Sequence, residues 1–393
     1  MQYRTNPRNG QQLSVLGFGC MRFTRRGGGI DQEKANREMA LALERGVNYF
    51  DTAYVYPGSE VCLGNFIKTY NCRDKLYIAT KLPHYRMRKL ADADQFFDEE
   101  LQRLGTDQID YYLMHMLNDA QSWKRLCEMG LDQWIARKKE SGAIRQVGFS
   151  FHGGTGQFRE LADAYDWDFC QIQFNYMDEH SQAGIEGLRY AHQKGLPVII
   201  MEPLRGGKLV NRLSKETRQI FDTFQPRRSP ADWALRWIWN HPEVTVVLSG
   251  MNDAAQVEEN CRIASESLPG LLTPDELGLY GRVLDAMKKS MRVGCTGCGY
   301  CQPCPRGVDI PACFAIYNAS YVDGLYTGMK EYMMCTTLRK VRSNAGLCVK
   351  CGKCEQHCPQ HIAIRDELDH VKKRLENPIY KIGAKALSKI MKY

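Results

Sequence analysis

Short apolar runs recur through the first two thirds of the chain, and segments with helical spacing separate them. The runs are LGFGCM at 16–21, VNYF at 47–50, KLYIAT at 75–80, IDYYLMH at 109–115, AIRQVGFS at 143–150, FCQIQFN at 169–175, PVIIMEPL at 197–204 and TVVLSG at 245–250. A run this short and this continuously apolar reads as a strand buried on both faces, the state of a parallel strand covered by helices. Eight of them alternating with helical segments predict an α/β fold, a (β/α)8 TIM barrel. Residues 2–21 begin with Asn-Pro and Asn-Gly turn signals and predict a hairpin ahead of the barrel. Residues 1–270 suit one barrel, with a helical connector over 271–291 and a different unit over 292–393.

Several runs end in a polar side chain. Asp51, Lys81 and His115 close or follow the second, third and fourth runs, and Tyr56 follows Asp51 in the next loop. Side chains at the C-terminal ends of barrel strands stand where such folds keep their chemistry. The four types together suit reduction of a carbonyl. Oxygen that receives hydride at its carbon develops negative charge and needs a proton. A tyrosine hydroxyl ionises near pH 10 in isolation, and a neighbouring ammonium favours the phenolate and lowers that value. A carboxylate would hold the ammonium charged and in place, and a histidine would orient the carbonyl oxygen.

DTAxxY, the lysine of ATK and the histidine of IDYYLMH together resemble the active-site signature of the aldo-keto reductases. The resemblance implies Tyr56 as general acid/base, Asp51 and Lys81 as the groups that tune it, and His115 as the orienting group. It also implies NAD(P)H as hydride donor. Ser150, Gln173 and Asn175 match the positions that hold the nicotinamide amide. Pro203, Leu204, Gly206 and Gly207 match the loop over the pyrophosphate, where glycine permits close backbone approach. Ser249, Gly250, Gln256, Glu259 and Asn260 match the adenosine-binding turn. Members that prefer the 2′-phosphorylated cofactor carry Lys or Arg where this chain has Gly250 and Gln256. The expectation is therefore NADH, or NADPH with Arg262 or another residue supplying the missing cation.

The chain has 16 cysteines, ten of them after Met291. Clustered cysteines in a reducing compartment point to metal rather than a disulfide framework. Cys348, Cys351, Cys354 and Cys358 with Pro359 match C-x2-C-x2-C-x3-C-P, the spacing of a [4Fe-4S] ferredoxin site. Cys295, Cys298, Cys301 and Cys304 with Pro305 follow the same pattern with one residue fewer before the last cysteine. The two runs resemble helical dicluster ferredoxin domains. That resemblance implies two clusters with crossed ligation: Cys295, Cys298, Cys301 and Cys358 on one, and Cys348, Cys351, Cys354 and Cys304 on the other. A single cluster, or zinc, stands as the alternative. Cys313 and Cys335 read as plain buried thiols.

A nicotinamide moves two electrons as hydride, whereas a [4Fe-4S] cube passes one, so coupling them requires a transducer such as a flavin. FMN on a barrel phosphate loop is therefore an open cofactor. Two readings follow. One is an oxidoreductase acting on a small carbonyl or alcohol. The other is a flavin- or ferredoxin-linked electron-transfer module on a barrel that no longer reduces simple carbonyls. A ferredoxin or similar carrier is the expected protein partner. The net charge of +8 is spread rather than clustered with aromatics, which argues against nucleic acid. No apolar run approaches bilayer length, which argues against integral membrane association. The first residues lack an apolar signal region, so a cytoplasmic location is expected.

Overall fold

The eight apolar runs form eight strands: β1 (Leu16–Gly19), β2 (Tyr49–Asp51), β3 (Tyr77–Leu82), β4 (Ile109–Met114), β5 (Ile144–Phe151), β6 (Phe169–Gln173), β7 (Val198–Met201) and β8 (Val244–Ser249). In this computed structural model, which describes residues 1–387 except 212, 290, 291, 296, 298, 300, 340 and 359, they close into one parallel barrel in sequence order. The pairing β8 to β1 seals it through Leu248 opposite Gly17 and Ser249 opposite Phe18. Every residue of β2, β4, β6 and β8 is buried, as strands enclosed on both faces require.

The predicted hairpin is present: Tyr3–Thr5 pairs antiparallel with Gln12–Ser14. Its Leu13 packs into an interior layer with Tyr49, Tyr111, Phe169, Ile199 and Val246. Tyr111 stands edge-on to Tyr49 at 5.1 Å and to Phe169 at 5.0 Å. Asn6 of the hairpin turn donates to the Tyr111 hydroxyl at 3.1 Å, which satisfies a buried polar group at the barrel's closed end. Cutting Phe169 back to alanine would cost about 3–5 kcal/mol through lost burial and the cavity left behind.

Outer helices lie close where glycine allows it. A Cβ on Gly64, in helix Ser59–Tyr70, would meet the Arg103 carbonyl oxygen at 2.3 Å, so only glycine fits against helix Ala91–Leu104.

The chain divides into two compact units: Met1–Val210 with Phe224–Leu277, and Asn211–Thr223 with Gly278–Tyr393. The second unit is helical, with helices Ile310–Val322, Leu325–Tyr332, Ile364–Leu375 and Pro378–Leu387. Phe314, Tyr332, Leu338, Leu368, Val371 and Leu375 form its core. Inside it, the Tyr332 hydroxyl donates to Glu376 at 2.8 Å and accepts from the Ala345 N–H at 2.7 Å. Among the described residues no helix is long and apolar enough to cross a membrane.

Candidate active site

The loop after β2 is fixed before it can present Tyr56. The Thr52 N–H donates to the Ala79 carbonyl on β3, and the Thr52 and Ser59 hydroxyls meet at 2.7 Å. Ser59 also donates to the Cys20 carbonyl at 2.8 Å. Gly58, at φ 78°, supplies the left-handed residue that starts the next helix. The turn Ala53 to Tyr56 closes through a backbone hydrogen bond of 3.0 Å.

Within this frame Lys81 is buried, with 1% of its side chain exposed. Its Nζ donates to Asp51 Oδ1 and to the Thr52 carbonyl, both at 2.6 Å. A buried ammonium needs such partners, because an unpaired charge inside a protein is costly. Asp51 Oδ2 accepts from Gln171 Nε2 at 2.9 Å. The Lys81 nitrogen lies 5.3 Å from the centre of the Tyr56 ring, and the His115 ring stands edge-on to that ring at 6.0 Å. All four residues expected from the strand ends thus come together.

Ionisation differs from the expectation in one respect. The Tyr56 ring is half-buried by area yet walled by protein, and burial pushes its pKa well above the ordinary phenol value. The Asp51 and Glu202 carboxylates raise it further, and Arg22 opposes them. In this state desolvation outweighs the cationic neighbours, so the phenol holds its proton. His115 is pushed well below its usual value, by burial first and then by Lys81, which leaves a neutral imidazole. Its Nδ1 is buried without a hydrogen-bond partner among the described residues.

The positions expected to hold a nucleotide surround the same end of the barrel, but several are already engaged. Ser150 Oγ accepts from the Met116 N–H at 2.8 Å and keeps its own proton to donate. Gln173 Nε2 and Asn175 Nδ2 both donate to Asp178 Oδ2, at 2.8 and 3.0 Å. Gln173 Oε1 accepts from Gln182, and Asn175 Oδ1 accepts from the Met177 and Asp178 N–H groups. These amides form a tied network, so a nicotinamide amide would meet Ser150 more readily than Asn175. Pro203 is buried and Leu204 half-buried. Gly206 and Gly207, at φ 66° and 87°, present bare backbone, and a Cβ on Gly206 would strike Arg22 at 2.7 Å. That glycine turn fits the close approach a pyrophosphate needs.

Ser249 accepts from Asn260 at 3.1 Å, Gln256 accepts from the Asn252 N–H, and Glu259 accepts from the Ser229 hydroxyl at 2.6 Å. Gly250 lies against the Arg22 stem. Arg262 does not fill the cation vacancy in this turn: its guanidinium is paired with Glu266 at 3.1 Å and Asp232 at 3.2 Å.

In the second unit the cysteines line two cavities. Cys295, Cys301 and Cys358 face one, with Ile310, Phe314 and Ile364 as apolar wall. Cys304, Cys348, Cys351 and Cys354 face the other, and Cys301 borders it too. Cys298 lies outside the described residues. Lys350 and Gly352, both at positive φ, turn the second loop around its cavity, and the Lys350 N–H donates to Cys348 Sγ at 3.4 Å. Among the described residues no three His, Cys, Asp or Glu side chains converge on a point that could hold a single ion. The all-cysteine donor set, in runs of C-x2-C-x2-C, fits a cluster better than zinc, which would use two C-x2-C pairs and leave cysteines unused. Cys313 is fully buried against the Tyr332 hydroxyl, and burial raises its pKa strongly, the state of a structural thiol.

Three residues at the barrel mouth escaped the reading of the sequence. Gln171 stands two residues before Gln173 on the same face of β6, and that alternation was an available signal. Arg22 ends the short 3-10 turn after β1 and Glu202 directly follows β7, and no motif of the sequence singled either out.

The family model described as the aldo/keto reductase family matches residues 15–270, and one described as a 4Fe-4S dicluster domain matches residues 294–363. An oxidoreductase of Bacillus subtilis, YrpG, is 26% identical over 309 residues, 68% of this chain and 92% of its own. An aldo-keto reductase of Gibberella moniliformis is 35% identical over 232 residues, 56% of this chain and 68% of its own. Among solved structures, aldo-keto reductase AKR11C1 of Bacillus halodurans in its holo form superposes with a TM-score of 0.60 at 24% identity, covering 72% of this chain and 96% of that one. An aldo-keto reductase of Klebsiella pneumoniae in complex with NADPH gives 0.58 at 21% identity, covering 72% and 95%.

Proposed function

The chain belongs to the aldo/keto reductase family, and from that premise we propose that it interconverts a small carbonyl compound and its alcohol using NAD(P)H, with two [4Fe-4S] clusters in its C-terminal unit. The observation that carries the reading is the convergence of Asp51, Tyr56, Lys81 and His115 at one end of the barrel. A bound nicotinamide dinucleotide would supply the hydride. The protein's part is proton delivery and positioning. Tyr56 keeps its proton at neutral pH and gives it to the carbonyl oxygen as charge develops there. Neutral His115 orients that oxygen by hydrogen bonding without competing as an acid. Lys81, held by Asp51 and Thr52, places a fixed positive charge near the phenolate that remains. Ser150 and the Gly206–Gly207 turn would receive the nucleotide.

In the C-terminal unit Cys295, Cys298, Cys301 and Cys358 would hold one cluster and Cys304, Cys348, Cys351 and Cys354 the other. The two cavities support this division, because Cys304 and Cys358 each face the cavity of the opposite run. Such clusters supply one-electron transfer, and a ferredoxin-like carrier suits the exchange. The test is anaerobic purification followed by iron, sulfide and flavin analysis, with turnover of a carbonyl panel by NADH and NADPH. Turnover lost on Tyr56→Phe supports the reading. Turnover that survives that change would refute Tyr56 as the proton source, and protein containing stoichiometric flavin with no nicotinamide-linked carbonyl turnover would refute the reading in favour of the electron-transfer module.

A further inference from the structure

The two cysteine-lined cavities of the C-terminal unit differ in what surrounds the thiols. The first, with Cys295, Cys301 and Cys358, is walled by Ile310, Phe314 and Ile364, and no charged side chain lines it among the described residues. The second, with Cys304, Cys348, Cys351 and Cys354, is lined by Arg306, Lys353, His357 and Arg365, and by no carboxylate among the described residues. Arg365 is neutralised, because its guanidinium pairs with Glu355 at 2.7 Å. The side chains of Arg306 and Lys353 are exposed and make no ion pair or hydrogen bond among the described residues. The same cavity carries exposed apolar side chains: Pro303, Pro305 and Val349, the last 58% exposed. Of the described cysteines only Cys351 is exposed. The second cavity therefore opens to solvent between cations, while the first is closed by apolar side chains.

Exposed apolar side chains beside uncommitted cations are what a transient protein interface offers. The first supply contact area and the second supply orientation. Cations of one sign steer an acidic partner to the surface and hold off a basic one. We propose that the mouth of the second cavity, with Pro303, Pro305 and Val349 beside Arg306 and Lys353, is the docking port for an acidic one-electron carrier protein. This rests on the two-cluster reading above. One electron leaves the carrier and enters the cluster that Cys304, Cys348, Cys351 and Cys354 would hold; no bond forms and no proton moves. Electron tunnelling weakens steeply with distance, so the carrier must come to the cluster that opens on the surface. The first cavity, without a charged or open mouth, gives such a carrier neither guidance nor access.

The test is stopped-flow electron transfer from reduced plant-type ferredoxin, an acidic carrier, to the anaerobic full-length protein. In the parent the second-order rate should fall as salt rises from about 50 to about 500 mM. Arg306→Glu combined with Lys353→Glu should slow it about 10-fold or more at low salt and remove the salt dependence. Iron and sulfide content, and reduction by dithionite as a small reductant, should stay at parental values. Lys381→Glu, at an exposed lysine on helix Pro378–Leu387, should change none of these. Should the charge reversal cost iron, Arg306→Gln with Lys353→Gln removes the charges without adding any and should show the same slowing at a smaller factor. Transfer at the parental rate in an iron-replete double variant would overturn the proposal. A parent that holds both clusters yet takes no electron from ferredoxin would overturn it as well. Protein without iron and sulfide would remove the two-cluster reading itself, and this inference with it.

Discussion

Gln171 Nε2 donates to Asp51 Oδ2 at 2.9 Å inside the barrel, joining side chains 120 residues apart in the chain. Asp51 thereby has both oxygens bonded, one to Lys81 and one to Gln171, and the ammonium stays aimed toward Tyr56. Gln171→Leu leaves one buried carboxylate oxygen without a donor. The expected cost is about 1–3 kcal/mol, and about 2–4 °C per kcal/mol in a unit of this size. Thermal unfolding and kcat should fall together; a variant as stable and active as the parent would show that Asp51 needs only Lys81.

Tyr56→Phe removes a hydroxyl that makes no structural hydrogen bond among the described residues, so folding should be untouched. Carbonyl reduction should fall about 10²- to 10⁴-fold, the span a positioned general acid contributes. Nucleotide binding by calorimetry should not change. Retained turnover would place the proton source elsewhere.

Burial lifts the Tyr56 pKa, and this sets the direction of the pH profile. In the proposed role, reduction requires the protonated phenol. A raised pKa keeps that form populated past the ordinary value near 10. The rate of reduction, followed at saturating substrate from pH 7 to 10, should therefore show no decline from this group. A descending limb centred below pH 9 that disappears in Tyr56→Phe would mean that ligands reverse the effect of burial.

His84 tests the barrel rather than the reaction. Burial, aided by Arg125, lowers its pKa to about 4. The unfolded chain takes up this proton near pH 6.5, while the folded state refuses it until about pH 4. Stability from this residue is thus complete above pH 6.5 and lost as pH falls toward 4. From pH 7 to pH 5 the loss is about 2 kcal/mol, at about 1.4 kcal/mol per pH unit. His84→Gln should shrink the acid-induced drop in unfolding temperature relative to the parent; equal drops would contradict the assignment.

Under the proposed crossed ligation, the cysteine variants are informative in pairs. Cys358→Ala should remove the cluster of the first run and Cys304→Ala that of the second, each leaving about half the iron and sulfide. Loss of all iron from either variant would point to a single cluster, and no loss from Cys304→Ala would exclude that residue as a ligand.

Legibility in the sequence followed how local the cause was. The strands were readable because each apolar run carries its own reason to be buried, and Asp51, Lys81 and His115 were readable because they end such runs. Gln173 and Asn175 were placed at the right end of the barrel, but their tie to Asp178 was hidden, since it depends on the path of the following loop. Arg262 looked available for a phosphate until helix packing set Asp232 and Glu266 beside it. The sense of the Tyr56 shift was misjudged for a related reason: Lys81 is visible in a sequence, whereas the low-dielectric wall around the ring is not.

Residue order alone determined that this chain alternates buried strands with helices, that Asp51, Tyr56, Lys81 and His115 stand at or after strand ends, and that two cysteine runs carry the spacing of iron–sulfur ligands. Tertiary structure alone decided which oxygen Gln171 holds, where Arg22 lies, and which cysteines share a cavity. The physical reason is reach. Hydrophobic period and ligand spacing act over a few residues, while ionisation and hydrogen bonding depend on whatever the closed barrel and the packed helices bring within a few ångströms, however far apart in the chain.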